Sequence, residues 1–317
     1  MLFRGKMAKK AKITIIGAGN VGATIGFSVM HKGIAGEILL IDIAKDKAEG
    51  EAMDLAHCAD FCPPVKVRSG DYGDAEGSDF VVVAGGAARK PGQTRLELAD
   101  VNVGIMRDIM AQIVPRAPDA VYVIVSNPVD VLTYAWIRLS GLPRNRVVGS
   151  GTMLDCSRLK NAVASDLSVD PRDVNVWVLG EHGDSSFAAW DSATVGGRDL
   201  REMYLEKGVP FDGEALMNAV RGGGADVIRR KGSTFYAVAM SVATLIEKMV
   251  EDAGAYVSVS SILNLEGVGD VCVSLPCSVG SDGVRDTSVP ALDPGEAVSL
   301  SESAGAVRKV LDSLNLT

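Results

Sequence analysis

Several residue types that particular functions require are scarce in this sequence of 317 residues. Aromatic residues make up 5% of the chain, and histidine occurs only at His31, His57 and His182. No apolar run reaches the roughly 18 residues that a membrane-spanning helix needs. The 40 Asp and Glu residues outnumber the 32 Lys and Arg residues, which gives a net charge of −8 without a basic block. We therefore expect neither a membrane nor a nucleic acid as a partner.

Cysteine is also sparse, and its pattern indicates the redox environment. The five cysteines are an odd number and contain no Cys-x-x-Cys pair. This pattern is typical of free thiols in a reducing cytoplasm, and it favours neither a disulfide scaffold nor a zinc site. We expect a cytoplasmic protein without a bound metal.

What the sequence has in quantity is apolar strand patterns, which alternate with amphipathic helices over the first half. The clearest strands are KITIIG (12–17), EILLIDI (37–43) and DFVVVA (79–84). This alternation is typical of a parallel, doubly wound α/β sheet of the Rossmann type. We assign this α/β domain to residues 12–150.

The pattern changes after residue 150, where strands and helices no longer alternate regularly. It predicts a second, α+β domain over residues 151–317. Its predicted elements are a helix at 153–166, a strand at 173–179, a long helical stretch at 212–250, antiparallel strands at 255–263 and 271–279, and a terminal helix at 294–315.

A glycine-rich loop follows the first predicted strand and begins the first predicted helix. Gly17, Gly19 and Gly22 form the pattern G-x-G-x-x-G, with Asn20 and Val21 between the last two. The first glycine permits a tight turn, the second lets the backbone approach a pyrophosphate, and the third lets helix and strand pack closely. The pyrophosphate would lie at the helix N-terminus, where unpaired N–H groups favour anions.

An acidic residue ends the second predicted strand, which adds to the cofactor signal. Asp42 lies 20 residues beyond Gly22. A carboxylate at this place accepts hydrogen bonds from ribose hydroxyls and repels a 2′-phosphate. The two signals together predict NAD rather than NADP as the cofactor, and they make residues 12–150 the NAD-binding domain.

A histidine between two glycines follows the predicted strand 173–179 and is the best candidate for proton transfer. His182 stands in Gly-Glu-His-Gly-Asp, while Asp155 and Arg158 share one face of the helix 153–166 at spacing i, i+3. An imidazole can exchange a proton near neutral pH, a carboxylate can orient it, and a guanidinium can bind a substrate carboxylate. From spacing alone, an ordinary exposed ion pair is the better interpretation of Asp155 and Arg158.

At these residues the chain resembles the L-lactate/L-malate dehydrogenase family, from about residue 12 to the terminal helix. The matching stretches are ITIIGAGNVG, LLIDI, EGEAMDLAH, ARKPGQTRLEL, SNPVDVLTY, GSGTMLDCSRL and GEHGDSSFAAW. The resemblance implies an oxidoreductase that transfers a hydride between NAD and a small 2-hydroxy or 2-oxo acid. It also implies that residues 151–317 are the catalytic domain, which binds that acid. It also implies a homo-oligomer, either a dimer or a tetramer.

The resemblance implies a role for each matching residue around the proton-transfer site. His182 matches the proton donor and acceptor, and Asp155 matches its partner carboxylate. Arg158 matches the residue that binds the substrate carboxylate next to the reacting carbon. Arg95 matches a loop arginine that polarises the substrate carbonyl once the loop closes.

Two further positions match residues near the substrate. Asn127 matches a residue that hydrogen-bonds the substrate and contributes to the cofactor site. The resemblance also implies a cis peptide bond between Asn127 and Pro128. Thr234 matches a position in the substrate pocket.

The prediction of the substrate depends on Arg89. In the family, the residue at this position faces the far end of the substrate. An arginine there resembles the malate dehydrogenases, because it can pair with a second carboxylate, whereas lactate dehydrogenases usually have glutamine. A guanidinium that is desolvated without an anion is costly. We therefore expect a malate dehydrogenase that interconverts (S)-malate and oxaloacetate, with a role in the tricarboxylic acid cycle.

Two alternatives remain open at this point. The stretch 149–152 and Thr234 resemble lactate dehydrogenases, so L-lactate and pyruvate are the second candidate pair. A non-catalytic NAD-binding protein with the same fold is the remote third.

Overall fold

The computed structural model describes residues 10–88, 92, 94–314 and 316, and of Arg95 it describes the backbone alone. In chain order the elements of the first half are β1 (Ala11–Ile16), α1 (Asn20–His31), β2 (Ala35–Ile41), α2 (Lys45–His57), β3 (Lys66–Ser69), β4 (Phe80–Val83), α3 (Arg95–Ile113), β5 (Val121–Ile124), α4 (Val129–Leu139) and β6 (Val147–Gly149). Those of the second half are α5 (Met153–Leu167), β7 (Val174–Asn175), β8 (Val178–Leu179), β9 (Phe187–Ala188), β10 (Thr194–Val195), β11 (Arg198–Asp199), α6 (Leu200–Lys207), α7 (Gly213–Lys231), α8 (Tyr236–Glu251), β12 (Ala255–Leu265), β13 (Gly269–Gly280), β14 (Gly283–Thr287) and α9 (Pro294–Asp312).

The main sheet has the order β14-β13-β12-β6-β5-β4-β1-β2-β3. Strands β1 to β6 pair in parallel, and β12, β13 and β14 continue the sheet in the antiparallel sense. The predicted fold class, a Rossmann sheet followed by an α+β part, is confirmed. The domain boundary near residue 150 stays a prediction, since the hairpin β12–β13 joins the first sheet at the pair Ser260–Gly149.

The central strands are covered on both faces, which explains their continuous apolar sequences. Ile13, Ile15, Val82 and Val123 are completely inaccessible to solvent. The strand order reverses between the neighbouring strands β4 and β1. In such sheets the ligand crevice lies beyond the carboxyl ends of these strands. Among the described residues, no helix combines the length and apolar character needed to cross a membrane.

The second half differs from the sequence prediction in two elements near that crevice. The single strand predicted at 173–179 is two short strands, because β7 pairs with β10 while β8 pairs with β9. The helical stretch predicted at 212–250 is divided into α7 and α8 by residues 232–235. Gly232 ends α7 with a φ of +86°, a conformation that favours glycine. The break places Thr234 at the wall of the cleft described next.

Candidate active site

A cleft with a volume of about 580 Å³ lies at the carboxyl ends of β1, β4 and β5. The loops that follow these strands form one side of it, and α5, the loop after β8 and α7 form the other. Residues predicted for both the cofactor and the substrate line this cleft, among them Val21, Asn127, Asp155, Arg158, His182 and Thr234. The fold therefore brings together side chains that are far apart in the sequence.

The centre of the cleft is a hydrogen-bonded group of three side chains. Nδ1 of His182 lies 2.5 Å from Oδ2 of Asp155, and Nη1 of Arg158 donates to Oδ1 of Asp155 at 2.8 Å. The Asp155 side chain is only 6% exposed, compared with 22% for Arg158 and 26% for His182. The pair on α5 is thus not an ordinary surface ion pair, because the carboxylate connects the guanidinium to the imidazole.

The surroundings of His182 favour its protonated form. Burial alone would lower the pKa of His182, and Arg158 acts in the same direction. The charge of Asp155, its hydrogen bond and the charge of Asp130 outweigh both, so the pKa of His182 is raised above its ordinary value. Because Nδ1 donates to a carboxylate, Nε2 is the ring nitrogen that can exchange a proton with a substrate.

The backbone of the histidine loop is held from two other elements. The N–H of His182 donates to Oδ2 of Asp130 on α4 at 2.7 Å, and the N–H of Glu181 donates to the hydroxyl of Ser303 on α9 at 2.7 Å. Gly180 has a φ of +86°, and a Cβ at this position would lie 2.4 Å from the Ser303 hydroxyl. A glycine is therefore required for the turn that presents His182 to the cleft.

The glycine loop has the shape that a dinucleotide pyrophosphate needs. Gly17 has a φ of +99°, and a Cβ there would lie 2.5 Å from the backbone of Gly85. A Cβ at Gly22 would lie 1.8 Å from the carbonyl oxygen of Gly17, whereas a Cβ at Gly19 would meet nothing within 4 Å. The N-cap residue of α1 is Gly19 itself, which has no side chain to cap the helix. Gly17 and Gly22 thus permit close packing of the backbone, and Gly19 leaves open space at the N-terminus of α1. Because a pyrophosphate could occupy that space, the loop fits NAD.

Asp42 lies directly after β2 and faces this loop. Its Oδ2 accepts a hydrogen bond from the N–H of Ala18 at 2.7 Å, and its Oδ1 accepts one from the N–H of Ala44 at 2.9 Å. The carboxylate is therefore fixed beside the loop, where a ribose would lie if the pyrophosphate occupies the N-terminus of α1.

Substitution of two glycines of the loop should have different effects. Gly22→Ala should lower the free energy of unfolding by about 1–3 kcal/mol, because its Cβ collides with the Gly17 carbonyl. Gly19→Ala should leave stability within about 0.5 kcal/mol but weaken NADH binding at least about tenfold, because its Cβ projects into the pyrophosphate space. Urea unfolding and NADH fluorescence titration measure the two effects. Equal NADH affinity in Gly19→Ala and the unaltered protein would show that the pyrophosphate binds elsewhere.

Of the other predicted substrate residues, the structure describes Asn127 but not the side chains of Arg95 and Arg89. The Asn127–Pro128 peptide is cis, as predicted, and Asn127 lines the cleft. Arg95 is the first residue of α3, but its side chain lies outside the described residues, and Arg89 lies outside them entirely. Their roles stay predictions.

Helix α7 contributes to the cleft in a way that the sequence prediction missed. Gly223 and Gly224 lie against Arg158, since a Cβ on either would come within 3.4–3.5 Å of the Arg158 side chain. Three successive glycines, 222–224, weaken a helix interior by roughly 1 kcal/mol each relative to alanine. That unfavourable run was the signal that could have indicated a close contact here.

Comparison with known proteins assigns both halves of the chain. Residues 11–149 match the family description "lactate/malate dehydrogenase, NAD binding domain", and residues 152–315 match "lactate/malate dehydrogenase, alpha/beta C-terminal domain". An L-lactate dehydrogenase 1 of Clostridium acetobutylicum is 43% identical over 97% of this chain and 100% of its own length. An L-lactate dehydrogenase of Clostridium botulinum is 42% identical over 97% of this chain and 98% of its own.

A solved structure leads to the same group of proteins. The minor L-lactate dehydrogenase of Enterococcus mundtii, in a ligand-bound form, superimposes with a TM-score of 0.92 at 37% identity. The alignment covers 97% of this chain and 99% of the other.

The prediction of a malate dehydrogenase, and with it a role in the tricarboxylic acid cycle, is wrong. It depended on one charge, Arg89, whose placement the structure does not describe. The two arginines among the described lining residues are Arg158 and Arg221. Arg221 donates through Nε and Nη2 to the carbonyl of Ser186, so its guanidinium is already engaged. The named relatives, at 37–43% identity, are L-lactate dehydrogenases.

The two matched halves, the glycine loop and the His182–Asp155–Arg158 group lie in one chain and around one cleft. The chain belongs to the lactate/malate dehydrogenase family, and NAD is its cofactor.

Proposed function

We propose that this protein is an NAD-dependent L-lactate dehydrogenase, which interconverts L-lactate and pyruvate. The observation that carries the proposal is the imidazole of His182, held by Asp155 at 2.5 Å in the cleft that the glycine loop also borders. The names of the relatives support the substrate pair.

Arg158 is the residue that binds the substrate carboxylate in this proposal. Its Nη1 donates to Asp155, and no described residue accepts a hydrogen bond from its other N–H groups, which can therefore bind a carboxylate in the cleft. A guanidinium can bind a carboxylate through two parallel hydrogen bonds, which fixes orientation as well as position. The reacting carbon, one bond from that carboxylate, is then held within reach of His182.

His182 moves the proton in both directions. In pyruvate reduction the protonated imidazole donates from Nε2 to the carbonyl oxygen as it becomes a hydroxyl. In lactate oxidation the neutral imidazole accepts the hydroxyl proton, and Asp155 stabilises the imidazolium that forms. The hydride would be supplied or accepted by the nicotinamide of NAD when it is bound. Arg95 is proposed to stabilise the negative charge that develops on the carbonyl oxygen, an effect commonly worth about 3–4 kcal/mol.

A spectrophotometric assay at the NADH band tests the proposed substrate. With NADH, we expect kcat/KM for pyruvate to exceed that for oxaloacetate at least about tenfold, equivalent to about 1.4 kcal/mol. A pyruvate:oxaloacetate ratio below one would overturn the proposal. NADPH serves as the control for the cofactor and should be a poor substitute, because Asp42 would repel its 2′-phosphate.

A cytoplasmic location and a homo-oligomer, either a dimer or a tetramer, complete the proposal. All five cysteines are free thiols, which supports a reducing compartment. Exposed apolar side chains on α1, α2 and α8, among them Phe27, Met53 and Met240, support self-association. Light scattering on the purified protein gives the mass of the assembly.

A further inference from the structure

Helix α7 contains three successive glycines that the packing of the fold does not require. Gly222, Gly223 and Gly224 lie in its interior, and none of them has the positive φ that favours glycine. A Cβ at Gly222 would meet no described atom of a neighbouring segment within 4 Å, and a Cβ at Gly223 or Gly224 would lie 3.4–3.5 Å from the Arg158 side chain. These are ordinary van der Waals distances, so alanine would fit at all three positions.

The run of glycines is also unfavourable for the helix itself. A glycine in a helix interior loses more backbone entropy on folding than an alanine does, and three in succession add their effects. The contact with Arg158 does not compensate this loss, because alanine would keep that contact. The missing Cβ atoms therefore need an explanation outside the stability of the fold.

Gly224 lies where the substrate is proposed to bind. It lines the cleft together with Arg158, and the position of its missing Cβ is 3.4 Å from Nη2 of that arginine. With the carboxylate bound to Arg158 and the carbonyl oxygen at His182, the side chain is the third substituent of the reacting carbon. That side chain begins two bonds from the carboxylate carbon, so space beside Arg158 is within its reach.

The wall of the cleft near Gly224 is apolar. Ile228 lies one helical turn further along α7, on the same face as Gly224, and it lines the cleft while 49% exposed. Its hydrocarbon surface would be removed from water by an apolar ligand group, which is favourable. Leu154 on α5 and Val238 on α8 line the same cleft. A hydrocarbon chain is therefore the kind of ligand group that fits this wall.

We propose that Gly224 is a specificity-determining residue, whose missing Cβ lets the cleft accept 2-oxo acids with an apolar side chain larger than the methyl group of pyruvate. Acids with an ethyl, propyl or isobutyl side chain form this class. The proposal rests on the proposed function and keeps its chemistry: the carbonyl carbon takes the hydride of NADH, and the oxygen takes the proton of His182. The products are the 2-hydroxy acid and NAD⁺.

Initial rates at the NADH band, with pyruvate and 2-oxopentanoate as substrates, test this class. In the unaltered protein, kcat/KM for 2-oxopentanoate should lie within about tenfold of that for pyruvate. In Gly224→Ala, the ratio of kcat/KM for 2-oxopentanoate to that for pyruvate should fall at least about tenfold, because one methyl group in a pocket discriminates by about 10–200-fold. The ratio cancels any effect of the new methyl group on Arg158, since both substrates carry the same carboxylate.

Gly222→Ala is the matched control. It makes the same substitution in the same helix, at an exposed position that is not among the described residues lining the cleft. Both variants should have a higher thermal midpoint than the unaltered protein, because each replaces a helical glycine by alanine. In Gly222→Ala the substrate ratio should stay within about twofold of the unaltered protein.

Three results would each refute the role of Gly224. The first is an unaltered protein whose kcat/KM for 2-oxopentanoate is more than about tenfold below that for pyruvate. The second is an unchanged substrate ratio in Gly224→Ala. The third is an equal fall of the ratio in Gly222→Ala, which would assign the effect to the flexibility of α7. A preference for oxaloacetate over pyruvate would refute the proposed function instead, and the ratio between 2-oxopentanoate and pyruvate would still decide whether Gly224 sets the size of the pocket.

Discussion

Replacement of His182 by alanine should lower kcat for pyruvate reduction by about 10²–10⁴-fold and leave NADH binding nearly unchanged. A positioned general acid contributes about this factor to proton transfer. The imidazole of His182 is hydrogen-bonded to Asp155. Among the described residues, no other side chain bonded to Asp155 can donate a proton near neutral pH. The hydrogen bond from the Ala18 N–H to Asp42, which holds the glycine loop, does not involve His182 and should be unaffected.

Steady-state kinetics and NADH fluorescence titration measure these two quantities. His57→Ala is the control, because His57 is an exposed residue at the end of α2. It should change neither kcat nor NADH affinity. If His182→Ala retained kcat within about threefold of the unaltered enzyme, a shift of less than about 0.7 kcal/mol, proton transfer would not pass through this imidazole.

The first half of the fold could be predicted from sequence because its signals are local. Strands β1, β2 and β4 are buried on both faces, so each appears as a short apolar run between polar turns. The glycine loop is recognisable in the sequence because Gly17 and Gly22 occupy positions where a Cβ would collide with the backbone, so that only glycine fits there. The group of His182, Asp155 and Arg158 was found from residue type and resemblance, and the structure shows it hydrogen-bonded.

The parts that sequence missed depend on contacts between distant segments. Residues 173–179 are mostly apolar, which is why they were predicted as one strand. They form two strands because β7 pairs with β10 and β8 pairs with β9, and these partners lie later in the chain. Asp130 has no local signal, since an aspartate in the first turn of a helix is ordinary. Its burial behind His182 arises only when α4 meets a loop that follows about 50 residues later. The prediction of the substrate was wrong for a related reason. It assumed that Arg89 faces the substrate, and the position of that side chain cannot be read from the sequence.

Arg158→Lys should lower kcat/KM for pyruvate by about 100-fold, equivalent to about 2.8 kcal/mol, chiefly through a higher KM. Lysine keeps the positive charge but has no planar fork, so it cannot form two parallel bonds to a carboxylate. It also cannot bind Asp155 and the substrate with the same geometry, because Arg158 uses Nη1 for Asp155 at 2.8 Å. Since the charge is kept, the His182 titration should move little, and the loss would report geometry rather than electrostatics.

Arg172→Lys is the corresponding control on an exposed pair. Arg172 is 89% exposed and pairs with Asp170 away from the cleft, so this substitution should leave kcat/KM unchanged. Measured side by side, the two variants distinguish a substrate-binding guanidinium from a surface one. If Arg158→Lys kept the KM for pyruvate within about twofold, a change below about 0.5 kcal/mol, then Arg158 would serve only to hold Asp155, and the substrate carboxylate would bind to another group in the cleft.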